Sequence, residues 1–397
     1  MKTLVTFLIV SFLFIAMKND DIKINHGLKE ITADSILQKM SFKLSSLKNI
    51  RYDLKRELNY SSENYHNEMN WTIYFDFQST DTIIGFKYQI EDETLKKVFI
   101  FNGTEEFELN KKAKTIKIDN QPNQKLLSNN SAFYNSIITL KNVLPIIIAD
   151  KTIIKIPGDT IINNISYNLI TLYLNKRRIQ FLGKDFDAMT TKSNLIYKII
   201  IDKKDDLPFE VLQVNDIDSD FIKTSFTNIN TTNPLPSESS WFYSTYTDEY
   251  KQAIPKELPK LVSVGSSAPE WILPRYNKEE NIALSDFKGK VVLLDFWIKN
   301  CGHCIESIPD LNALQEKFKN NNFEILGINS YDSKEDIGWF CNKHKPNYKI
   351  LMQGKAIAEK YGVSGFPMVF LIDKKGNIVF SGGIEKSEME RLIEKIL

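Results

Sequence analysis

Two of the chain's three cysteines, Cys301 and Cys304, stand three positions apart in the stretch "DFWIKNCGHC". Sulfurs at this spacing can close a small disulfide ring with little strain, or can give two ligands to a metal. The preceding run "VVLLDFW", Val291 to Trp297, is apolar, β-branched and aromatic, as a fully buried parallel strand requires. Ile305, Ile308, Leu311, Leu314 and Phe318 then mark one face of a helix that is expected to begin near Cys304. The N–H groups and partial positive charge of a helix N-terminus stabilise an anion, so the first cysteine is expected to ionise near neutral pH. Gly302 is expected to permit a tight turn. A protonated His303 adds positive charge that favours the dithiol form and makes the disulfide a better oxidant.

The elements that position this pair repeat one style. "FEILGIN" (Phe323 to Asn329) and "PMVFLID" (Pro367 to Asp373) are further buried strands, with helical patterns between them, including 356–361. A hairpin-like "IDKKGNIVFSGG" and an amphipathic helix from Ser387 to Ile396 close the chain. Strands alternating with helices predict an α/β domain.

Upstream the texture differs. Ile36, Leu37, Met40, Leu44 and Leu47 share a helix face, with Thr32 or Asp34 available as N-cap. In "WTIYFDFQ" the residues Trp71, Ile73, Phe75 and Phe77 alternate with polar ones, the period of a half-buried antiparallel strand. Similar segments recur to "DFIKTSF", interrupted by a helical stretch at 133–147. This region is expected to be mainly antiparallel β with covering helices. The Pro- and Ser-rich stretch after it is expected to be a linker.

With 397 residues the chain is long enough for two or three domains. Its 51 basic and 50 acidic residues leave a net charge of +1, which argues against a nucleic-acid partner. Lys2 and an apolar run from Leu4 to Met17 open the chain. A membrane span needs about 20 such residues, so the run fits a secretory signal better, with an uncleaved anchor as the alternative. Export would place the cysteines where disulfides persist, yet three in so long a chain make no structural framework. Cys341 is expected to be a small buried hydrophobe on a helix, and His344 a solvated side chain.

From about Val264 to Leu397 the chain resembles the thioredoxin superfamily, most closely the exported thiol:disulfide oxidoreductases of the TlpA/ResA type. The matching pieces are "VGSSAPEW", "LSDFKGKVVLLDFW", "CGHC", Pro309, "YGVSGFPMVFLIDKKGNIV" and the closing helix. The resemblance implies a thioredoxin fold in which Cys301 is the exposed attacking thiol and Cys304 the buried resolving one. It also implies that Pro367 is a cis-proline facing the disulfide, where the backbone of Phe366 pairs with a bound client; Trp297 is expected to take part in client binding. Phe366 is bulkier than the residues common there. Ser307 stands where the TlpA/ResA type often has a glutamate, with Glu306 displaced by one. Asp295 matches the buried aspartate of thioredoxin that exchanges a proton with the resolving cysteine, and its neighbours Leu294 and Phe296 favour burial over a surface position. The β region, from about Ile31 to Pro236, with a helix, long strands, a central helix and then "YKIIIDKKDDLPFEVL", resembles bacterial lipoprotein carriers of the LolA type, which implies a half-barrel around a hydrophobic ligand; the alternative is the same apolar face packed shut by helices.

The expected organisation is a signal or anchor at 1–19, a mainly β domain at 20–236, a linker at 237–262 and a thioredoxin-like domain at 263–397. The expected function is an exported oxidoreductase of the periplasm or cell envelope of a Gram-negative bacterium. It would act on client proteins with disulfides or thiols, draw on a membrane or periplasmic electron donor, and need no cofactor. The family favours a reductant; the Gly-His pair between the cysteines favours an oxidase or isomerase. A lipid carrier with an accessory redox domain is a third reading. A metal held by Cys301, His303 and Cys304 would want a fourth ligand, for which no second CxxC or histidine cluster is present. The Pro-x-x-x-Thr-x-x-Cys context of a peroxidase is missing, and Ile305 stands where haem attachment needs a histidine.

Overall fold

The structure, a computed structural model, describes residues 32–78, 83–189, 192–232, 236–254 and 259–397. The apolar run from Leu4 to Met17 lies outside the described residues. Among those described, no helix is long and apolar enough to cross a membrane. The chain forms two compact units. One comprises Met1–Arg56, Met69–Ile90 and Pro122–Leu235; the other comprises Glu57–Glu68, Glu91–Gln121 and Pro236–Leu397.

The first unit is mostly antiparallel sheet. Strands Ile154–Ile162, Ile165–Asn175, Leu195–Asp202, Pro208–Asn215 and Phe221–Asn230 pair antiparallel. The helix Ala33–Ser46 starts where Thr32 Oγ1 accepts the Ser35 N–H at 3.2 Å, and it buries Ile36, Leu37, Met40 and Leu44. A second helix, Ile137–Ala149, turns Ile137, Ile138, Leu140, Val143, Leu144 and Ile147 inward. Phe133, just before it, meets Phe86 and Tyr88 edge-on at 5.7 and 5.4 Å, so the unit's own rings fill this part of its apolar face.

In the second unit, Lys97–Phe101, Glu106–Asn110 and Thr115–Asp119 form a small antiparallel meander. Its C-terminal part has the thioredoxin-like fold. Strands β1 (Val291–Trp297), β2 (Phe323–Asn329), β3 (Lys349–Leu351), β4 (Met368–Ile372) and β5 (Ile378–Gly382) lie in the order β3-β2-β1-β4-β5. β1, β2 and β3 are parallel, whereas β4 is antiparallel to both β1 and β5. All seven residues of β1 are buried because both faces of the sheet are covered. Val292, Leu294 and Phe296 face one core with Ala358 and Tyr361 of helix α3 (Lys355–Tyr361). Val291, Leu293 and Trp297 face the other, with residues of α1 (Gly302–Phe318), α2 (Lys334–His344) and α4 (Lys386–Ile396). This double cover explains why every residue of β1 except Asp295 is apolar.

One residue interrupts β2. Gly327 lies opposite Asp295 of β1 on one side and Ile350 of β3 on the other. A Cβ there would come within 2.8 Å of Ile350 Cδ1 and 2.9 Å of the Tyr348 ring. Glycine inside a strand marks such a close approach. Gly327→Ala is expected to destabilise the protein by about 1–3 kcal/mol through overpacking. Urea unfolding would read this as a lowered midpoint; an unchanged midpoint would mean that the neighbouring side chains yield freely.

Candidate functional site

The cysteine pair sits just beyond the C-terminal end of β1. The backbone N–H of Lys299 donates to Asp332 Oδ2 at 2.6 Å, and Asn329 Nδ2 donates to the same oxygen at 2.6 Å. These bonds tie the turn after β1 to the end of β2. Helix α1 then begins at Gly302, with Cys301 as its N-cap and Cys304 in its first turn. The Cys301 sulfur accepts the Cys304 N–H at 3.1 Å, and its carbonyl accepts the Ile305 N–H at 3.1 Å. Sulfur thus occupies the place usually filled by a Ser or Asp oxygen. A thiolate there would gain from the same N–H and from the helix dipole.

Cys301 and Cys304 are disulfide-bonded, with an S–S distance of 2.10 Å and Cα atoms 5.2 Å apart. Their access differs: Cys301 is half-buried, while Cys304 is 1 % exposed and packs with Ile308, Leu311 and Trp297. Gly302 has no left-handed backbone, and a Cβ on it would meet nothing within 4 Å. The expected tight turn is therefore absent, because the chain enters the helix directly. His303 points to solvent with 85 % of its side chain exposed, and its Nδ1 lies 3.0 Å from Glu306 Oε2. Ser307 is buried and donates to the Cys304 carbonyl at 2.8 Å, so no carboxylate from that position reaches the sulfurs.

Asp295 is 2 % exposed. By alternation along β1 it shares a face with Leu293 and Trp297, the face against which Cys304 packs. Burial pushes its carboxyl up to about 7, against a smaller downward pull from a hydrogen bond donated by the Tyr348 hydroxyl. That bond measures 3.4 Å to Oδ2; Oδ1 is buried and has no hydrogen-bond partner among the described residues. Burial, and then the neighbouring Asp295 charge, raise the Tyr348 hydroxyl well above its usual range, so it remains a donor. Tyr348 precedes β3, and its ring reaches toward Asp295 over the gap left by Gly327. Sequence reasoning missed Tyr348. The only local signal was a glycine within an otherwise apolar strand.

The Phe366-Pro367 peptide is cis and leads directly into β4. Phe366 is half-buried and meets Tyr331 edge-on at 5.9 Å. Trp297 does not present a face to a client: it is 2 % exposed and stacks on Phe340 with ring centroids 4.2 Å apart. Helices roof this face of β1, as its apolar run implied, and Trp297 lies beneath them. Cys341 is half-buried against the same core, and burial pushes its thiol up to about 11.

The C-terminal region is similar in sequence to known proteins. The AhpC/TSA family matches residues 264–381. Thiol-disulfide oxidoreductase ResA of Geobacillus kaustophilus is 31 % identical over 157 residues, which are 39 % of this chain and 86 % of the relative. ResA of Bacillus subtilis is 33 % identical over 119 residues, 30 % of this chain and 66 % of the relative. Among solved structures, the thioredoxin domain of a thiol-disulfide oxidoreductase from Bacteroides vulgatus is 29 % identical, with a TM-score of 0.32 over 33 % of this chain and 99 % of that one. Through its C-terminal thioredoxin-like region the chain belongs to the ResA-type thiol-disulfide oxidoreductases, and it is an enzyme of that class.

Proposed function

We propose that the protein is an exported reductant of client disulfides, in which Cys301 attacks, Cys304 resolves and Asp295 accepts the proton of the resolving thiol. The observation that carries this reading is Asp295: a buried carboxyl with a pKa near 7, on the face of β1 where Cys304 packs. A base poised near the working pH transfers protons well in either direction.

The cycle begins with the reduced pair. The Cys301 thiolate, supported by the helix N-terminus, attacks one sulfur of a client disulfide; the client's other sulfur leaves as a thiolate and takes up a proton. Asp295 then removes the Cys304 proton, and the Cys304 thiolate attacks the Cys301 sulfur. The client departs as a dithiol with two electrons, and the enzyme retains its disulfide. An external dithiol, a membrane or periplasmic electron donor, restores the reduced pair. A protonated His303 favours the Cys301 thiolate, and the Glu306 carboxylate beside it offsets part of that charge. Proline cannot donate a backbone hydrogen bond, so the carbonyl and N–H of Phe366 are the groups offered to an extended client segment. Lys2 and the apolar run to Met17 support export. Reduction potential tests the direction: a value near the thioredoxin figure of about −270 mV supports a reductant, and one near about −180 mV an isomerase.

Cys304→Ser is expected to accumulate covalent client adducts that dithiothreitol releases, and Cys301→Ser to trap almost none; mass spectrometry of the purified protein reads both. Trapping that required Cys304 would reverse the two roles.

For the intact pair, the resolution rate should rise about tenfold per pH unit below about 7 and level off above it, as the Asp295 carboxylate becomes populated. Asp295→Asn should remove that rise and slow resolution more than attack in stopped-flow experiments.

The same carboxyl has a stability signature. Its folded pKa lies above its unfolded one, so the folded state holds the extra proton, and stability falls as pH rises from about 4 to about 7. At pH 8, Asp295→Asn should therefore unfold later in urea, by at most about 4 kcal/mol, with the difference vanishing near pH 3. Equal stabilities at pH 8 would show that the carboxyl is not held at a raised pKa.

A further inference from the structure

Beside the disulfide the second unit has a cleft of about 330 Å³, lined by Cys301 and Ile305 on one side and by Leu58, Tyr60 and Tyr65 on the other. The latter three belong to the hairpin segment Glu57–Glu68, which counts with this unit. Tyr60 and Tyr65 stack on each other at 5.9 Å and 22°, which stiffens the wall they form.

The tip of this hairpin is held at several points. The Lys299 amine, whose side chain is 5 % exposed, donates to the Asn64 carbonyl at 3.2 Å and pairs with Asp336 at 2.8 Å. Lys343 bonds the Ser62 carbonyl and the Glu63 carboxylate. His344, expected to be solvated, is only 12 % exposed and lies 3.4 Å from Glu63, because the hairpin covers it. Glu63, Lys299 and Asn300 line the cleft as well, but Lys299 and Glu63 are each paired with an opposite charge, so the groups left to meet a guest are mainly aliphatic and aromatic. Such a site gives no advantage to a charged guest and rewards an apolar one.

We propose that this cleft receives an uncharged, apolar side chain of the client next to its reacting cysteine, and so selects which disulfides are reduced. The inference rests on the assignment of Cys301 as the attacking sulfur. Because Cys301 itself lines the cleft, an occupant present during reaction must lie close to the sulfur under attack. At about 330 Å³ the cleft stands at the small end of ligand sites, enough for one or two side chains. The hairpin wall therefore acts as a specificity element supplied from outside the thioredoxin-like fold.

The test uses the full chain carrying Cys304→Ser, so that the mixed disulfide persists. Two cysteine peptides, each activated as a mixed disulfide with thionitrobenzoate, differ only in the residues flanking cysteine: Leu and Phe in one, Ser and Asn in the other. Attack on the peptide sulfur releases thionitrobenzoate, and the adduct mass confirms which sulfur was taken. The apolar peptide is expected to react about tenfold faster, the scale of one side chain in an apolar pocket. Tyr60→Ser combined with Tyr65→Ser should bring the ratio to within about twofold of one, and Leu58→Asn alone should lower it about threefold. Taking the ratio within one preparation cancels any loss of folded protein. A ratio near one in the parent, a ratio that survives both hairpin variants, or one that falls as protein concentration rises because a second copy covers the cleft, would each overturn the proposal. Failure to react with either peptide, and with hydroxyethyl disulfide as well, would instead remove the attacking role of Cys301 on which it rests.

Discussion

A carboxyl group on a strand buried on both faces is the constraint around which the redox region is arranged. Taking a carboxylate out of water costs several kcal/mol, and the protein lessens the cost by leaving Asp295 protonated over much of the acid range and giving it one hydroxyl donor. That donor can reach it only because β2 has no side chain at Gly327. The identity of three residues, Asp295 on β1, Gly327 on β2 and Tyr348 just before β3, is thus coupled. Changing the middle one alters the surroundings of the other two. Helix α1 closes over the same face and carries Cys304 into its core, so Asp295 and Cys304 are both withdrawn from water there.

The redox half was legible in the sequence because its signals are local and ordered. A strand apolar but for one aspartate, a CxxC at the start of a helical pattern, a proline entering a later strand and an amphipathic last helix each depend on a few consecutive residues. Where reading failed, the reason was either a local rule with an uncommon residue or a contact between distant ones. The N-cap of α1 is a cysteine, outside the usual set of capping residues, so no capping signal fixed the helix start to the residue. Trp297, expected at the client-binding surface, is instead 2 % exposed under the helices that roof this face of the sheet.

The β region was legible at the level of period and hairpin, not of ownership. Alternation in "WTIYFDFQ" marked a strand, and Thr32 marked a helix start, since both are decided within a turn or a pleat. The hairpin segment 57–68 gave no sign that it counts with the redox unit. Its anchors, Lys299 and Lys343, follow it by more than two hundred residues in the chain. Pairings of that range are set by the whole fold rather than by propensity.

The third cysteine shows what burial does for the electron count. A thiol whose pKa stands at about 11 is ionised in about one molecule in ten thousand at pH 7, and only the ionised form attacks disulfides. Cys341, half-buried against the core beneath the site, is therefore a slow participant in exchange. Left reactive, it would offer a second route by which a mixed disulfide could be diverted into a one-sulfur dead end. Its chemical silence keeps the unit a two-electron device, with the two sulfurs of α1 as its working pair.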